Sequence, residues 1–212
     1  NIRDVYRHYQ ASPGSETARV FAQAYCHESI DIEAIGVWDT VKSLGVTLPF
    51  SSRFSAREHA FHNHELSHNV KNGFHALATD ETRAAFAPVM WSSLEGWEGQ
   101  MEQMWFIGSH GDVGGQLGGF EAARPLANIS LVWVLGRLEA CGLTLPTGWQ
   151  DRFEIDPHGP SVGTFRGYGK WFVSRSARQF GFDPSESKHP TLLNREAEEA
   201  SAVPRRWRKT SI

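Results

Sequence analysis

"MWFIGSHGDVGG", residues 104–115, is the stretch on which the reading of this chain turns. Its first half is an unbroken apolar run, the pattern of a strand covered on both faces in a parallel sheet. Its second half is a turn in which His110 and Asp112 stand among Gly108, Gly111, Gly114 and Gly115. Glycine lets the backbone bend sharply and leaves space beside its neighbours. An imidazole placed there can face a ligand instead of a packed side chain.

Working outward, "IEAIGVW", residues 32–38, is a second β-rich run, closed by Asp39 and followed by a loop with Pro49, Ser51, Ser52 and Arg53. Residues 16–27 carry Ala18, Phe21, Ala22, Tyr25 and Cys26 on one face of a predicted helix. Residues 67–79 repeat a helical spacing through Val70, Phe74 and Leu77, with Ser67 as the N-cap. "APVMW", residues 87–91, is a short strand candidate, and "QMWFIGS", residues 103–109, a stronger one. After the glycine turn, "RPLANISLVWVLGRLEACG" predicts the best helix of the chain, opened near Pro125 and capped by Gly142. Residues 146–190 lack periodicity and predict loops and short elements. Strand, polar tip and helix recur, which is the grammar of an α/β sheet, and such sheets present ligand groups at the carboxyl ends of their strands. Asp39 and His110 both fall at such ends.

Composition narrows the partners. A chain of 212 residues can bury about 70% of its unfolded surface, enough for one domain. A formal charge of −3, with basic residues scattered until the C-terminus, favours neither nucleic acid nor an anionic membrane as an overall target. The longest strongly apolar run, residues 129–135, is far short of the roughly 20 residues that span a bilayer, and residues 1–12 are too polar for a signal peptide. Cys26 and Cys141 are too few for a zinc site or a disulfide framework, so a reduced compartment is favoured, with one long-range disulfide left open.

A histidine base needs a carboxylate to fix its tautomer and a nucleophile whose proton it can take. Asp39 and His110 can form the first pair if the fold brings their tips to one edge. By residue type alone the alternative stands level with it: Asp39 caps its own turn and His110 is a polar loop residue.

The strings "IGVWDTVKSLG", "ELSHNVKNGFHALATDETRAAFAPVMW", "MEQMWFIGSHGDVGGQ", "LANISLVWVL" and "KHPTLLNR" resemble, in the same order, successive segments of the α/β-hydrolase family that contains the first class of type VI secretion lipase effectors. The resemblance runs from about residue 17 to 195. It implies a three-layer α/β-hydrolase-like sheet seen in its C-terminal part over residues 1–195, with 196–212 a polar, basic tail. It implies serine-esterase chemistry on a phospholipid or other carboxylic ester, with Asp39 as the acid, His110 as the base, and Asp112 supporting the turn beside the base. No metal or organic cofactor is needed for that chemistry. The family also implies a soluble protein of the bacterial cytoplasm that can be secreted as an effector, with a secretion apparatus or an immunity protein as partner.

The chain departs from the family pattern at Gly111, where a serine is usual, and at Gln116, where a third glycine is usual. It departs more deeply at the nucleophile. The family places a serine on a Gly-x-Ser-x-Gly elbow ahead of the acid and the base, and no such elbow is assigned here. "PGSET" around Ser15 lacks the second glycine, Ser109 adjoins the base, and "SRSA", residues 174–177, follows His110 and lacks the glycines. Residues 1–27 fit the helix after the elbow, so the elbow is expected just before Asn1. The chain by itself is then expected to have little hydrolase activity. The alternative is a noncatalytic remnant or binding module on the same scaffold.

Other candidates have plainer readings. His59, His62, His64 and His68 could hold zinc, but only Glu58 and Glu65 are near, and a polar loop is the default. His75 reads as a satisfied helix histidine. Asp80, Glu81 and Arg83 read as helix-ending surface pairs of little energetic weight. "RRWRK", residues 205–209, suits anionic headgroups, yet at a terminus it reads as solvated chain. Trp91, Trp97, Trp105 and Trp133 could line an acyl pocket but read as core.

Overall fold

A computed structural model describes residues 2–11, 14–28, 30–41, 66–93 and 96–202. Its centre is a four-stranded parallel sheet in the order β1 (Ile35–Trp38), β2 (Asn72–Ala78), β3 (Gln100–Phe106) and β4 (Glu186–Lys188). The register aligns Val37, His75, Gln103 and Glu186 in one row across all four strands. Three of the four are polar, and Gln103 shows how such a row is tolerated inside. Its Oε1 accepts from the Trp91 amide at 2.9 Å, and its Nε2 donates to the Trp91 carbonyl at 2.9 Å and to Ser185 Oγ at 3.0 Å. Both ends of the amide are therefore paired, as burial requires.

The helices are α1 (Ile2–Ala11), α2 (Glu16–Tyr25), α3 (His110–Val113), α4 (Arg124–Ala140) and α5 (Pro190–Ala202). α2 starts at Ser15, whose Oγ accepts from the Ala18 amide at 3.2 Å. α4 forms where its sequence predicts. Pro125 occupies its first turn, and beyond its end Gly142 turns at φ +99° while the Leu143 amide reaches back to the Leu138 carbonyl at 3.0 Å. That closes the last turn around a residue only glycine enters freely. α4 packs on β1 and β2. A Cβ at Gly36 would stand 2.7 Å from Val134 Cγ1, so a glycine in β1 is what admits this helix so closely.

Both faces of the sheet are covered, as parallel sheets require. Ala76, Leu77, Phe106, Val113, Ile129 and Val134 belong to the main core, which Leu192 of α5 joins. A second cluster holds Leu66, Val70 and Trp91 against Ile35, Val37, Trp97 and Met101. Trp91 and Trp105 are buried in these clusters, with Trp97 and Trp133 at their margins.

The architecture is the α/β fold expected, with three corrections among its elements. The helix predicted over residues 67–79 is not there: Asn72–Ala78 is strand β2. Every residue of β2 after Asn72 is buried, so the strand shows no alternation, and Val70, Phe74 and Leu77 match a helical spacing only by coincidence. "APVMW" is not a strand either. It follows the 3-10 turn Ala84–Phe86 as extended chain, with one isolated antiparallel bridge from Pro88 to Val41. β1 is shorter than "IEAIGVW", since Ile32 makes only an isolated bridge to Val70. Cys26 and Cys141 are both free.

Candidate active site

Asp39 and His110 meet. Asp39 follows the last residue of β1 and His110 opens α3, just beyond β3, and the imidazole Nδ1 lies 2.7 Å from Asp39 Oδ2. They leave the carboxyl ends of two strands separated by β2, on one edge of the sheet.

Each residue is aimed by its backbone. Asp39 has φ +38°, in the left-handed region that aspartate enters more readily than most residues. Its amide donates to the Ala76 carbonyl at 2.7 Å, and its Oδ1 accepts from the Ala78 amide at 3.0 Å. At the other end, Gly108 turns at φ +113°, and a Cβ there would stand 2.6 Å from Asp112 Cβ. Gly111 is tight too: a Cβ there would lie 3.0 Å from the Gln116 carbonyl oxygen.

Asp112 does not touch the imidazole among its bonds. Its Oδ2 accepts from the Ser109 amide at 2.8 Å, Ser109 Oγ at 2.7 Å and Ser161 Oγ at 2.6 Å, and its Oδ1 accepts from the Val162 amide at 2.7 Å. These bonds lash the turn to the loop at 161–162.

Asp39 is fully buried and its acceptor sites are filled. Beyond His110 and Ala78, Arg178 grips both oxygens, Nη1 to Oδ1 at 3.0 Å and Nη2 to Oδ2 at 2.9 Å, and also reaches the Phe86 carbonyl at 2.7 Å. Burial alone would raise the pKa of this carboxyl. The bond from His110, the charge and bonds of Arg178 and the Ala78 amide outweigh it and hold the group below its ordinary value.

A second buried carboxylate lies alongside. Glu81 is 1% exposed and accepts from the amide, Nε and Nη2 of Arg83 at 2.8, 2.8 and 2.7 Å, and from the His110 amide at 3.1 Å. Burial works to raise its pKa as well, and the Arg83 bonds and charge reverse the shift. This corrects the expectation of a weak surface pair at Glu81. Arg83 lies 3.8 Å over the Phe86 ring, and Phe86 meets the His110 ring edge-on at 4.9 Å. Asp80 links two distant parts: its Oδ2 accepts from the Gly108 amide at 2.8 Å, and Arg195 of α5 grips its two oxygens at 2.6 and 2.9 Å.

His75 is a buried strand residue, not a helix one. Its Nε2 accepts from the Thr40 amide at 3.2 Å, next to Asp39, and burial lowers its pKa to about 4. It is a neutral prop for the Asp39 loop. A cleft of about 280 Å³ opens beside these elements, lined by Trp38, Val113, Ala127 and Leu131 with Arg124 and Asn128.

Of the remaining candidates, His59, His62, His64, Glu58, Glu65 and residues 205–209 lie outside the described residues, and His68 sits in an exposed turn. No helix among the described residues is long and apolar enough to cross a membrane. Sequence reasoning missed Arg178, for which it holds no local signal. It also missed "GPSVG", residues 159–163, which does have the Gly-x-Ser-x-Gly spacing. Those residues form irregular chain with no strand before them and no helix after them, and Ser161 Oγ is bonded to Asp112. A nucleophile elbow requires the opposite context, a strand turning sharply into a helix.

The model of the family described as "T6SS, Phospholipase effector Tle1-like, catalytic domain" matches residues 2–137, more than half of the chain. No curated protein and no solved structure matches.

Proposed function

The chain belongs to the Tle1-like phospholipase effector family of type VI secretion, matched in its catalytic domain, and on that premise we propose that it supplies the acid and the base of a serine-dependent lipid ester hydrolase. The observation that carries this reading is the 2.7 Å contact from His110 Nδ1 to Asp39 Oδ2 at the carboxyl edge of the sheet.

An ionised carboxylate only accepts hydrogen bonds, so Asp39 fixes His110 as the tautomer with its proton on Nδ1. Nε2 is then the basic nitrogen. It takes the proton from a serine as that serine attacks the ester carbonyl, and Asp39 stabilises the imidazolium that forms. The proton passes to the departing alcohol, leaving an acyl-enzyme. Water, deprotonated by the same nitrogen, then releases the fatty acid. Asp112 and Glu81 position the turn and the His110 backbone, and Arg178 keeps Asp39 ionised.

The one string with the elbow spacing, "GPSVG", is irregular and ties its serine to Asp112, which favours a nucleophile supplied by another segment. Joining this chain to a segment that carries a strand and a Gly-x-Ser-x-Gly turn restores esterase activity. Asp39→Asn and His110→Ala each lower kcat by about a thousandfold or more in that enzyme. Turnover preserved in either variant overturns the assignment. The chain alone stays unlabelled by a fluorophosphonate, and labelling at Ser161 would show that the nucleophile is internal.

A further inference from the structure

Beyond the residues matched by the family model, residues 165–173, "FRGYGKWFV", expose a concentration of large apolar side chains. Phe165 is 66% exposed, Tyr168 86%, Trp171 73% and Val173 91%. Single exposed apolar residues are ordinary, whereas a cluster of them marks an interaction surface. Tyr168 and Trp171 lie three apart in the 3-10 turn Gly167–Trp171, where such positions eclipse one another, so they stand on one edge. Lys170 is exposed between them and Arg166 just before them, its guanidinium 4.0 Å over the Phe120 ring, and no aspartate or glutamate occurs between Asp156 and Asp183.

The segment is held firmly to the site. Arg175 Nη1 donates to Thr82 Oγ1 and Thr164 Oγ1, both at 2.9 Å, and its Nη2 donates to the Gly169 carbonyl at 2.8 Å. The Ala84 amide reaches the Ser174 carbonyl at 3.0 Å, and the Ser176 amide the Thr82 carbonyl at 2.8 Å. Gly169 is buried so closely that a Cβ would strike the Thr164 carbonyl. Phe172 turns inward, its ring 5.4 Å from Phe86, which itself lies 4.9 Å from the His110 ring. The aromatic edge is therefore fixed relative to the base.

We propose that residues 165–173 are a docking surface for an anionic lipid bilayer, with Tyr168, Trp171 and Val173 entering the interface and Arg166 and Lys170 facing lipid phosphates. Trp and Tyr favour that zone because each joins an apolar ring to a polar tip, and interleaved cations add attraction to anionic headgroups. A second copy of the chain would bring the same cations to the same face and be repelled. Docking here holds the Asp39–His110 pair beside the membrane that contains the ester, so the inference rests on the lipid-hydrolase reading and names the physical state of its substrate.

The test is cosedimentation of the full chain with phosphatidylcholine vesicles made with and without phosphatidylglycerol, a measurement that needs no turnover. The chain binds the vesicles containing phosphatidylglycerol, and high salt weakens binding. Tyr168→Ser with Trp171→Ser lowers affinity by about tenfold or more, and Lys170→Glu lowers it by about fivefold or more. Both leave the urea midpoint unchanged, as expected for exposed side chains. His110→Ala binds like the parent, so loss of the catalytic reading would leave this result standing. Equal binding by the Tyr168/Trp171 variant overturns the docking surface while leaving the acid–base assignment intact. So does a change in oligomeric state in that variant without a change in vesicle binding, which would make the face a contact between copies.

Discussion

Arg178 reaches Asp39 across 139 residues of chain and bonds both carboxylate oxygens at 3.0 and 2.9 Å. The cation that balances the candidate acid thus lies outside residues 2–137, while the acid and base lie inside them. Removing one partner of such a buried pair leaves a charge without compensation. Arg178→Ala is expected to cost about 3 kcal/mol of stability at neutral pH, measured by urea unfolding of this chain. Asp39 has a lowered folded pKa, so its contribution is present above its unfolded value near about 3.9 and fades as pH falls through the folded one. The gap between parent and variant therefore closes below about pH 4. A gap unchanged by acid would mean that Arg178 acts by packing alone.

The dyad can be tested without turnover. Nitrogen-15 NMR of the chain should show His110, when neutral, with its proton on Nδ1, hydrogen-bonded to Asp39. In Asp39→Asn the preference for that tautomer weakens, since an amide can present its nitrogen to the ring. A parent imidazole protonated on Nε2 would contradict the assignment of the base.

His75 titrates differently in the two states. Its folded pKa of about 4 lies below its unfolded value of about 6.5, so the unfolded chain binds the extra proton between them. Stability therefore falls as pH drops from about 6.5 to about 4, by on the order of 3 kcal/mol in total. His75→Gln, which keeps an acceptor for the Thr40 amide but cannot titrate, should flatten that part of the curve. An unchanged slope would place the acid sensitivity elsewhere.

Two glycines should respond with opposite sign to alanine. Gly108→Ala puts a side chain at φ +113° against Asp112 and is expected to cost about 2 kcal/mol or more. Gly136, inside α4, has open space around its Cβ position, and Gly136→Ala should stabilise by roughly 0.5–1 kcal/mol. Thermal unfolding of the two variants separates a glycine the turn requires from one the helix merely carries.

The parts of this molecule legible in its sequence are those written locally. The apolar run before His110, the Pro125 start and the Gly142 stop of α4 each carry their own signal, and the structure follows them. β2 was obscured because a strand covered on both faces loses its alternation, so "NGFHALA" fits two templates equally. Glu81 looked like a surface charge because its burial depends on the Arg83 guanidinium folding back and on the His110 amide arriving from another loop. Arg178 was invisible for the same reason at longer range. A buried carboxylate demands a cation, but nothing near Asp39 in the sequence says which one.

Asp80 grips the Gly108 amide with the same oxygen that Arg195 holds at 2.6 Å. Helix α5 is thereby moored to the turn that carries the imidazole. Pulling on that helix, trimming it or loading it with a neighbour would disturb the aim of His110 while leaving Asp39 and His110 themselves untouched. The placement of that imidazole therefore depends on a helix far along the chain from it.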